Sequence, residues 1–310
     1  MRIAYKGIEF VISLAKEVNL SVPIPFVFRS VIGYHLRKMC CIARDVECAS
    51  CMFNASCIYG LTFESIVPKD NTVVAGRDRV SHPVIISCDD FIGKGRNTFV
   101  LNLIFLGAAI SHFPYFFYAL KKAGEDGISK ERVQYKVSDI VELSNSGGKR
   151  SLMTDDEHVI TRMEPDIWEY KPETEATAEA NFAVTLVSPL RYNVQGKEAR
   201  RIVAAEFAMC LHRRAQVLCS QYGSSDHAGG YEFSGDWAVT EHNVGWRYFR
   251  HYSARQKTAM RIGGMLGSFV LSGMFTAYER ALLNFAQLFH GGKSTNFGLG
   301  KLKVSEHGRV

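Results

Sequence analysis

The sequence has no strong net charge, no recognisable secretion signal and no long uninterrupted apolar run. Its 37 Lys and Arg stand against 31 Asp and Glu, for a formal +6 over 310 residues. With 47% hydrophobic and 22% charged residues, the composition excludes a disordered or collagen-like chain. Met1-Arg-Ile-Ala-Tyr-Lys-Gly7 lacks the order of a secretion signal, Glu9 and Lys16 interrupt any apolar core, and no small-residue cleavage site follows. A cytoplasmic protein is therefore expected. Phe99–Leu120 carries no charge and is long enough to span a bilayer, but it contains Asn102, Ser111, His112 and Pro114. A β-type run gives way there to a helix-type run after Gly107, so the expectation is a buried strand, an apolar helix and no membrane. The cysteines lack a regular second C-x2-C, although five of the eight fall between Cys40 and Cys57. Without a secretion signal, clustered thiols argue for a reducing compartment and for metal binding before disulfides.

The small net charge hides an asymmetry. Residues 1–150 carry +5, residues 151–190 carry −7 and residues 191–310 carry +8. Two basic lobes flanking an acidic bridge favour a polyanionic partner. The acidic stretch Asp155–Glu179 contains Pro165 and Pro172, shows no clear period and follows a Ser146-Gly-Gly-Lys149 turn. It divides the chain into an N-terminal domain over 1–145, a linker or insertion over 146–180 and a C-terminal domain over 181–310.

In the first lobe Ile8–Leu14 alternates like a strand. After Pro25, a helix is expected with Phe28, Val31, Ile32, Leu36, Met39 and Ala43 at helical spacing. In the second lobe Asn181–Leu190 reads as a strand and about Lys197–Tyr222 as a basic helix carrying Arg200, Arg201, Arg213 and Arg214. Each lobe then ends alike. Phe99–Val137 runs strand, apolar helix, glycine-bearing loop (Ala123–Lys130) and strand. Leu266–Val304 repeats that order, with a helix over Ala277–Phe289, a loop over His290–Gly300 and a strand over Lys301–Val304. Strand–helix units recurring twice point to an α+β chain of two split-βαβ, ferredoxin-like domains, with a cysteine-rich insertion after the first helix.

Five pieces in order carry a family resemblance. They are Phe28-Arg-Ser-Val-Ile-Gly-Tyr-His-Leu-Arg37 with its cysteine cluster, Phe99–Gly127, Tyr252-Ser-Ala-Arg-Gln-Lys257, Gly263-Gly-Met-Leu-Gly-Ser268, and His290-Gly-Gly-Lys-Ser-Thr-Asn-Phe-Gly-Leu-Gly-Lys301. From about residue 25 to 304 the chain resembles the repeat-associated (RAMP) superfamily of CRISPR proteins. Within it, the resemblance is to the Cas-six endoribonucleases that cut precursor CRISPR RNA. The resemblance implies tandem ferredoxin-like (RRM-like) domains. It also implies cleavage within each CRISPR repeat that requires no cofactor for catalysis, leaving a 5′-hydroxyl and a 2′,3′-cyclic phosphate. Precursor CRISPR RNA is then the expected partner, with a CRISPR effector complex and a second copy of the chain as further partners. A RAMP subunit that holds repeat RNA without cutting it is the alternative, and a zinc-bearing module for protein partners a third.

Such a cut needs a base for the 2′-hydroxyl, an acid for the leaving oxygen and a cation for the crowded phosphorane. The family's histidine commonly lies on or beside the first helix, where His35 is the sole histidine. The resemblance therefore assigns His35 as base or acid, Tyr34 to position or share its proton, and Lys38, Arg37 or Arg29 to the phosphate. Seven residues after Phe28, His35 also fits a core histidine bonded to a carbonyl. His290 and His251 are the other catalytic candidates, with a structural turn residue or an RNA contact as the alternative. For RNA, the expected contacts are Arg247, Arg250, Arg255 and Lys257, interleaved with Trp246, Tyr248, Phe249 and Tyr252. His290, Lys293 and Lys301 join them at the terminal glycine loop, whose small residues let backbone N–H groups approach phosphates. Cys40 or Cys41, with Cys48, Cys51 and Cys57, has spacing suited to one structural zinc, although the gap of five residues before Cys57 is irregular.

Overall fold

In the computed structural model the chain divides into an N-terminal unit built on Ile3–Ile167 and a C-terminal unit built on Trp168–Tyr252 and Ala259–Val310. The structure describes residues 1–20, 22–65, 81–88, 90–154, 159, 162–171, 177–224, 231–253 and 258–306, with side chains at all of these except 251–253 and 258–260.

The N-terminal unit runs β1 (Arg2–Asn19), α1 (Ile24–Cys40), β2 (Val84–Cys88), β3 (Lys94–Leu106), α2 (Phe113–Asp126), β4 (Tyr135–Leu143) and a short β5 (Lys149–Ser151). Its sheet has the order β2-β3-β1-β4-β5, antiparallel throughout. Every second residue of β1 enters the core, as the alternation of Ile8, Phe10, Ile12 and Leu14 dictates. Phe10 is paired with Leu101 on one side and Ile140 on the other, which pins the register. Helix α1 carries Pro25 in its first turn, where a missing N–H costs nothing. Phe28, Ile32 and Leu36, four apart, are fully buried against the sheet side of the unit. The helix stops at Cys40 rather than near Ala43, because Cys41 turns extended and its N–H closes onto the Arg37 carbonyl. Strand β2 was not visible in the sequence pattern. All five of its residues are buried, and so short an apolar run has no period to distinguish strand from helix.

One buried charge cluster ties this sheet together. Lys6 Nζ on β1 lies 2.8 Å from Glu142 Oε1 on β4 and 3.1 Å from Asp166 Oδ2. Arg150 on β5 meets the other oxygen of Glu142. Burial pushes the Glu142 carboxyl up, but hydrogen bonds and charge from Lys6 and Arg150 outweigh it and hold the group below the usual carboxylate range.

The C-terminal unit runs β6 (Ala178–Leu190), α3 (Ala204–Tyr222), β7 (Trp237–Ser253), β8 (Thr258–Phe275), α4 (Ala277–Phe289) and β9 (Leu302–Glu306), with sheet order β7-β8-β6-β9. Both units thus have the βαββαβ succession with the first strand central, the ferredoxin-like arrangement. Helix α4 occupies the range expected. A capping box starts it: Glu279 N donates to Thr276 Oγ1 at 3.1 Å and Thr276 N donates back to Glu279 Oε2 at 3.0 Å. Helix α3 begins at Ala204, seven residues later than expected from Lys197. Lys197–Glu198 pairs instead with Asn193–Val194 in a tight hairpin whose turn residues, Gln195 and Gly196, both have positive φ. Strands β7 and β8 are far longer than the Leu266–Leu271 strand anticipated, since exposed charges and glycines interrupt their alternation. Among the described residues, no helix is long and apolar enough to cross a membrane, and Phe99–Leu120 is divided between β3 and α2.

Candidate active site

Helix α1 presents His35 beside the C-terminal end of α2. The imidazole is 6% exposed and its Nε2 lies 3.5 Å from Asp126 Oδ2, an ion-pair distance rather than a tight hydrogen bond. Tyr34, the next residue, is 61% exposed, and its ring meets the imidazole edge-on at 5.1 Å. Lys38, one turn on, is exposed. His35, Tyr34 and Lys38 share one end of α1, with His35 itself buried.

Burial is the largest influence on His35 and lowers its pKa. Asp126 and Glu125 oppose that, while Lys38 and Lys122 add to it. Lys122 is itself paired with Glu125 at 2.7 Å. The net direction is downward, which favours the neutral form of the imidazole. Asp126 owes its position to the turn that follows it. Gly127 adopts φ 78°, its N–H bonds to Ala123 O at 2.9 Å, and a Cβ there would collide with the Arg132 carbonyl. The loop from Ala123 to Lys130 therefore serves to end α2 and aim a carboxylate at α1.

The two arginines assigned to the phosphate on α1 are half-buried. Arg29 stacks over the Phe63 ring at 4.7 Å, and Arg37 donates to Arg44 O at 3.3 Å with its guanidinium 6.0 Å from the Tyr59 ring. Both lie against the cysteine-rich insertion. Among the described residues, no three His, Cys, Asp or Glu side chains gather as metal ligands. Cys40, Cys48, Cys51 and Cys57 as placed therefore do not fit the expected tetrahedral zinc. Aromatic packing holds the insertion: Tyr59 stacks on Phe63 at 5.5 Å, Phe63 on Phe116 at 6.2 Å, and the Phe63 ring occupies the space over Gly33 of α1.

In the C-terminal unit, Arg247 and Arg250 are exposed on β7, whereas Arg255 and Lys257 lie outside the described residues. The terminal glycine loop corrects one assignment. His290, expected to touch RNA, is 1% exposed. Its Nδ1 lies 3.0 Å from Leu299 O, and burial, with Lys301 nearby, drives its pKa down to about 3. It is a core residue that closes the loop. Arg214 does likewise rather than pointing outward from a basic helix. It is buried, and its Nη2 donates to Phe289 O at 3.2 Å and Thr295 Oγ1 at 2.8 Å. Gly291 N bonds to Gly300 O, Gly300 N to Pro189 O and Lys293 N to Arg191 O, at 2.7–2.9 Å. Lys293 is thereby held exposed on a pinned backbone, and Lys301 is half-buried beside it. Asp126 is the residue that sequence reasoning missed. It stood in a loop already singled out, but only the folded unit brings it to His35.

Two ferredoxin-like units in tandem, the second closed by a pinned glycine-rich loop, make up the chain. Residues 184–302 match the family model described as CRISPR-associated endoribonuclease Cas6, and residues 3–165 match the AF_1859_N model, an N-terminal domain. Residues 184–302 thus belong to the Cas6 family, and that match supports an endoribonuclease role in processing CRISPR repeat RNA. The fold agrees with Thermus thermophilus Cas6 at a TM-score of 0.52 and 11% identity, over 98% of this chain and 99% of that one. A Cas6 product complex gives 0.52 and 13%, over 97% and 99%. A chain of a partial Cas6-RT-Cas1–Cas2 complex gives 0.52 and 10%, over 99% of this chain and 47% of that one. No curated protein matches by sequence.

Proposed function

We propose that this protein binds CRISPR repeat RNA and cleaves precursor CRISPR RNA within each repeat by attack of the RNA's own 2′-hydroxyl, without a metal. The observation that carries the reading is His35 Nε2, 3.5 Å from Asp126 Oδ2, with Tyr34 and Lys38 exposed at the same end of α1. A carboxylate next to Nε2 favours the proton there, which leaves Nδ1 as the basic nitrogen. His35 takes the 2′-hydroxyl proton, the O2′–P bond forms and the P–O5′ bond breaks. O5′ leaves with a proton from Tyr34, Tyr34 regains one from solvent as His35 releases its own there, and Lys38 offsets the charge on the phosphorane. The products are a 2′,3′-cyclic phosphate and a 5′-hydroxyl. Docking on a CRISPR effector complex and pairing with a second copy belong to the same proposal.

Incubating the purified protein with repeat RNA in EDTA tests it. Cleavage should persist in EDTA and fall by about 10²–10⁴-fold in His35→Ala. The burial of His35 favours one second reading, a RAMP subunit that holds repeat RNA uncut. Tight binding with no cut would establish that reading, and an unchanged rate in His35→Ala would move the chemistry elsewhere.

A further inference from the structure

On strand β7, Trp246, Tyr248 and Arg250 share one face, since side chains alternate along a strand. Gly263 of β8 lies under the Trp246 indole, and any side chain there would strike it. Arg200, in the segment leading to α3, lays its guanidinium over that indole at 3.7 Å from the ring centroid. It also donates Nη1 to the Tyr248 hydroxyl at 3.1 Å. Arg261 of β8 sits 4.5 Å over the Tyr248 ring. His242 Nε2 accepts the Ile202 N–H at 3.1 Å and so fixes the segment that carries Arg200 to the strand. Glu198 is the carboxylate present, 3.2 Å from Arg200 and 2.7 Å from Arg191, one acid shared between two guanidiniums.

A long surface arginine kept for solubility would be disordered in water. Arg200 is held flat by an indole, a phenol and a carboxylate, yet its side chain remains 51% exposed and Tyr248 is 52% exposed. The outcome is a planar, cationic, solvent-facing surface whose ordering cost is met before any ligand arrives. Unpaired nucleobases stack on aromatic rings and on guanidinium planes, with phosphates alongside.

We propose that Arg200, Trp246, Tyr248 and Arg261 form a stacking platform for one unpaired base of a single-stranded RNA segment. The proposal rests on the RNA-binding reading above and adds where, and by what chemistry, a single-stranded portion is held. A lone guanidinium meeting a phosphate would tolerate lysine and would ignore the base. The platform does neither.

The test measures binding of the full-length protein to a short single-stranded RNA of arbitrary sequence, and to versions carrying one abasic nucleotide at each position in turn. In the wild type, the abasic change at one position should weaken binding about 10-fold. Arg200→Lys, which keeps the charge, and Tyr248→Ala should each lose about as much on the intact RNA, and neither should lose more on that abasic RNA. Tyr248→Phe, which keeps the ring, should lose less than Tyr248→Ala. A flat abasic scan in the wild type, or variants weakened equally on intact and abasic RNA, overturns the platform. Should Tyr248→Ala fail to fold, the surface change Arg200→Lys decides alone. Cleavage of repeat RNA is scored separately. A protein that shows the abasic step but never cuts keeps the platform and loses the proposed reaction, and one that cuts with a flat scan does the reverse.

Discussion

His35 Nε2 on the first helix lies 3.5 Å from Asp126 Oδ2 at the end of the second. The carboxylate favours the imidazolium while burial opposes it, and burial prevails. If neutral His35 is the base, the cleavage rate rises with pH through its pKa and then levels. Asp126→Asn removes an influence that raises that pKa, so the midpoint of the rise should move to lower pH. Because the Asp126 side chain is 63% exposed, the displacement should stay under about one pH unit and shrink in high salt. A pH–rate profile of the variant at two salt concentrations checks this, and an unmoved midpoint would leave Asp126 with a purely structural role.

Glu142 should matter to stability rather than to cleavage. Glu142→Gln leaves Lys6 buried with Asp166 as its remaining acid, at a cost of about 2–4 kcal/mol in urea unfolding. The folded pKa of Glu142 lies below its unfolded value. Its contribution is therefore complete above the ordinary carboxylate pKa, near 4.5, and is lost as pH falls through the depressed folded value. The wild type should lose stability more steeply than Glu142→Gln as pH falls below that point, and parallel curves would contradict the assignment.

The cysteine-rich insertion should answer to its aromatic residues more than to its thiols. Phe63→Ala removes the ring that fills the space over Gly33 and stacks between Tyr59 and Phe116, and should cost about 3–5 kcal/mol. Cys48→Ser and Cys51→Ser, both at half-buried positions, should each stay within about 0.5 kcal/mol. Thermal melts of the three variants, with zinc measured in each, separate packing from metal. A large loss in the serine variants together with bound zinc would restore the metal reading.

Local codes were readable in the sequence, and tertiary ones were not. The α4 range was legible because Thr276, Glu279 and an amphipathic stripe agree over a few residues. The doubled strand–helix order was legible because both units spell it in the same succession. Helix α3 was read too long because the basic residues before it resemble helix, while the Gln195-Gly196 turn that stops it is a matter of φ. His290 looked like an RNA ligand, and Arg214 like part of an outward basic helix, because sequence reports charge and not burial. Asp126, far along the chain from His35, carried no local signal at all.

The central place of the first strand in each sheet sets a schedule for synthesis. Strand β1 pairs with β3 and β4, and β6 pairs with β8 and β9, so each must wait for a strand made long after it. At roughly 5–20 residues per second, the interval from β1 to β4 is several to a few tens of seconds. During it, Ile8, Phe10 and Ile12 have no finished sheet to enter. Nascent chains should be most exposed to chaperones, and to pairing with one another on a polysome, before Tyr135–Leu143 emerges and again before Leu302 reaches Leu186.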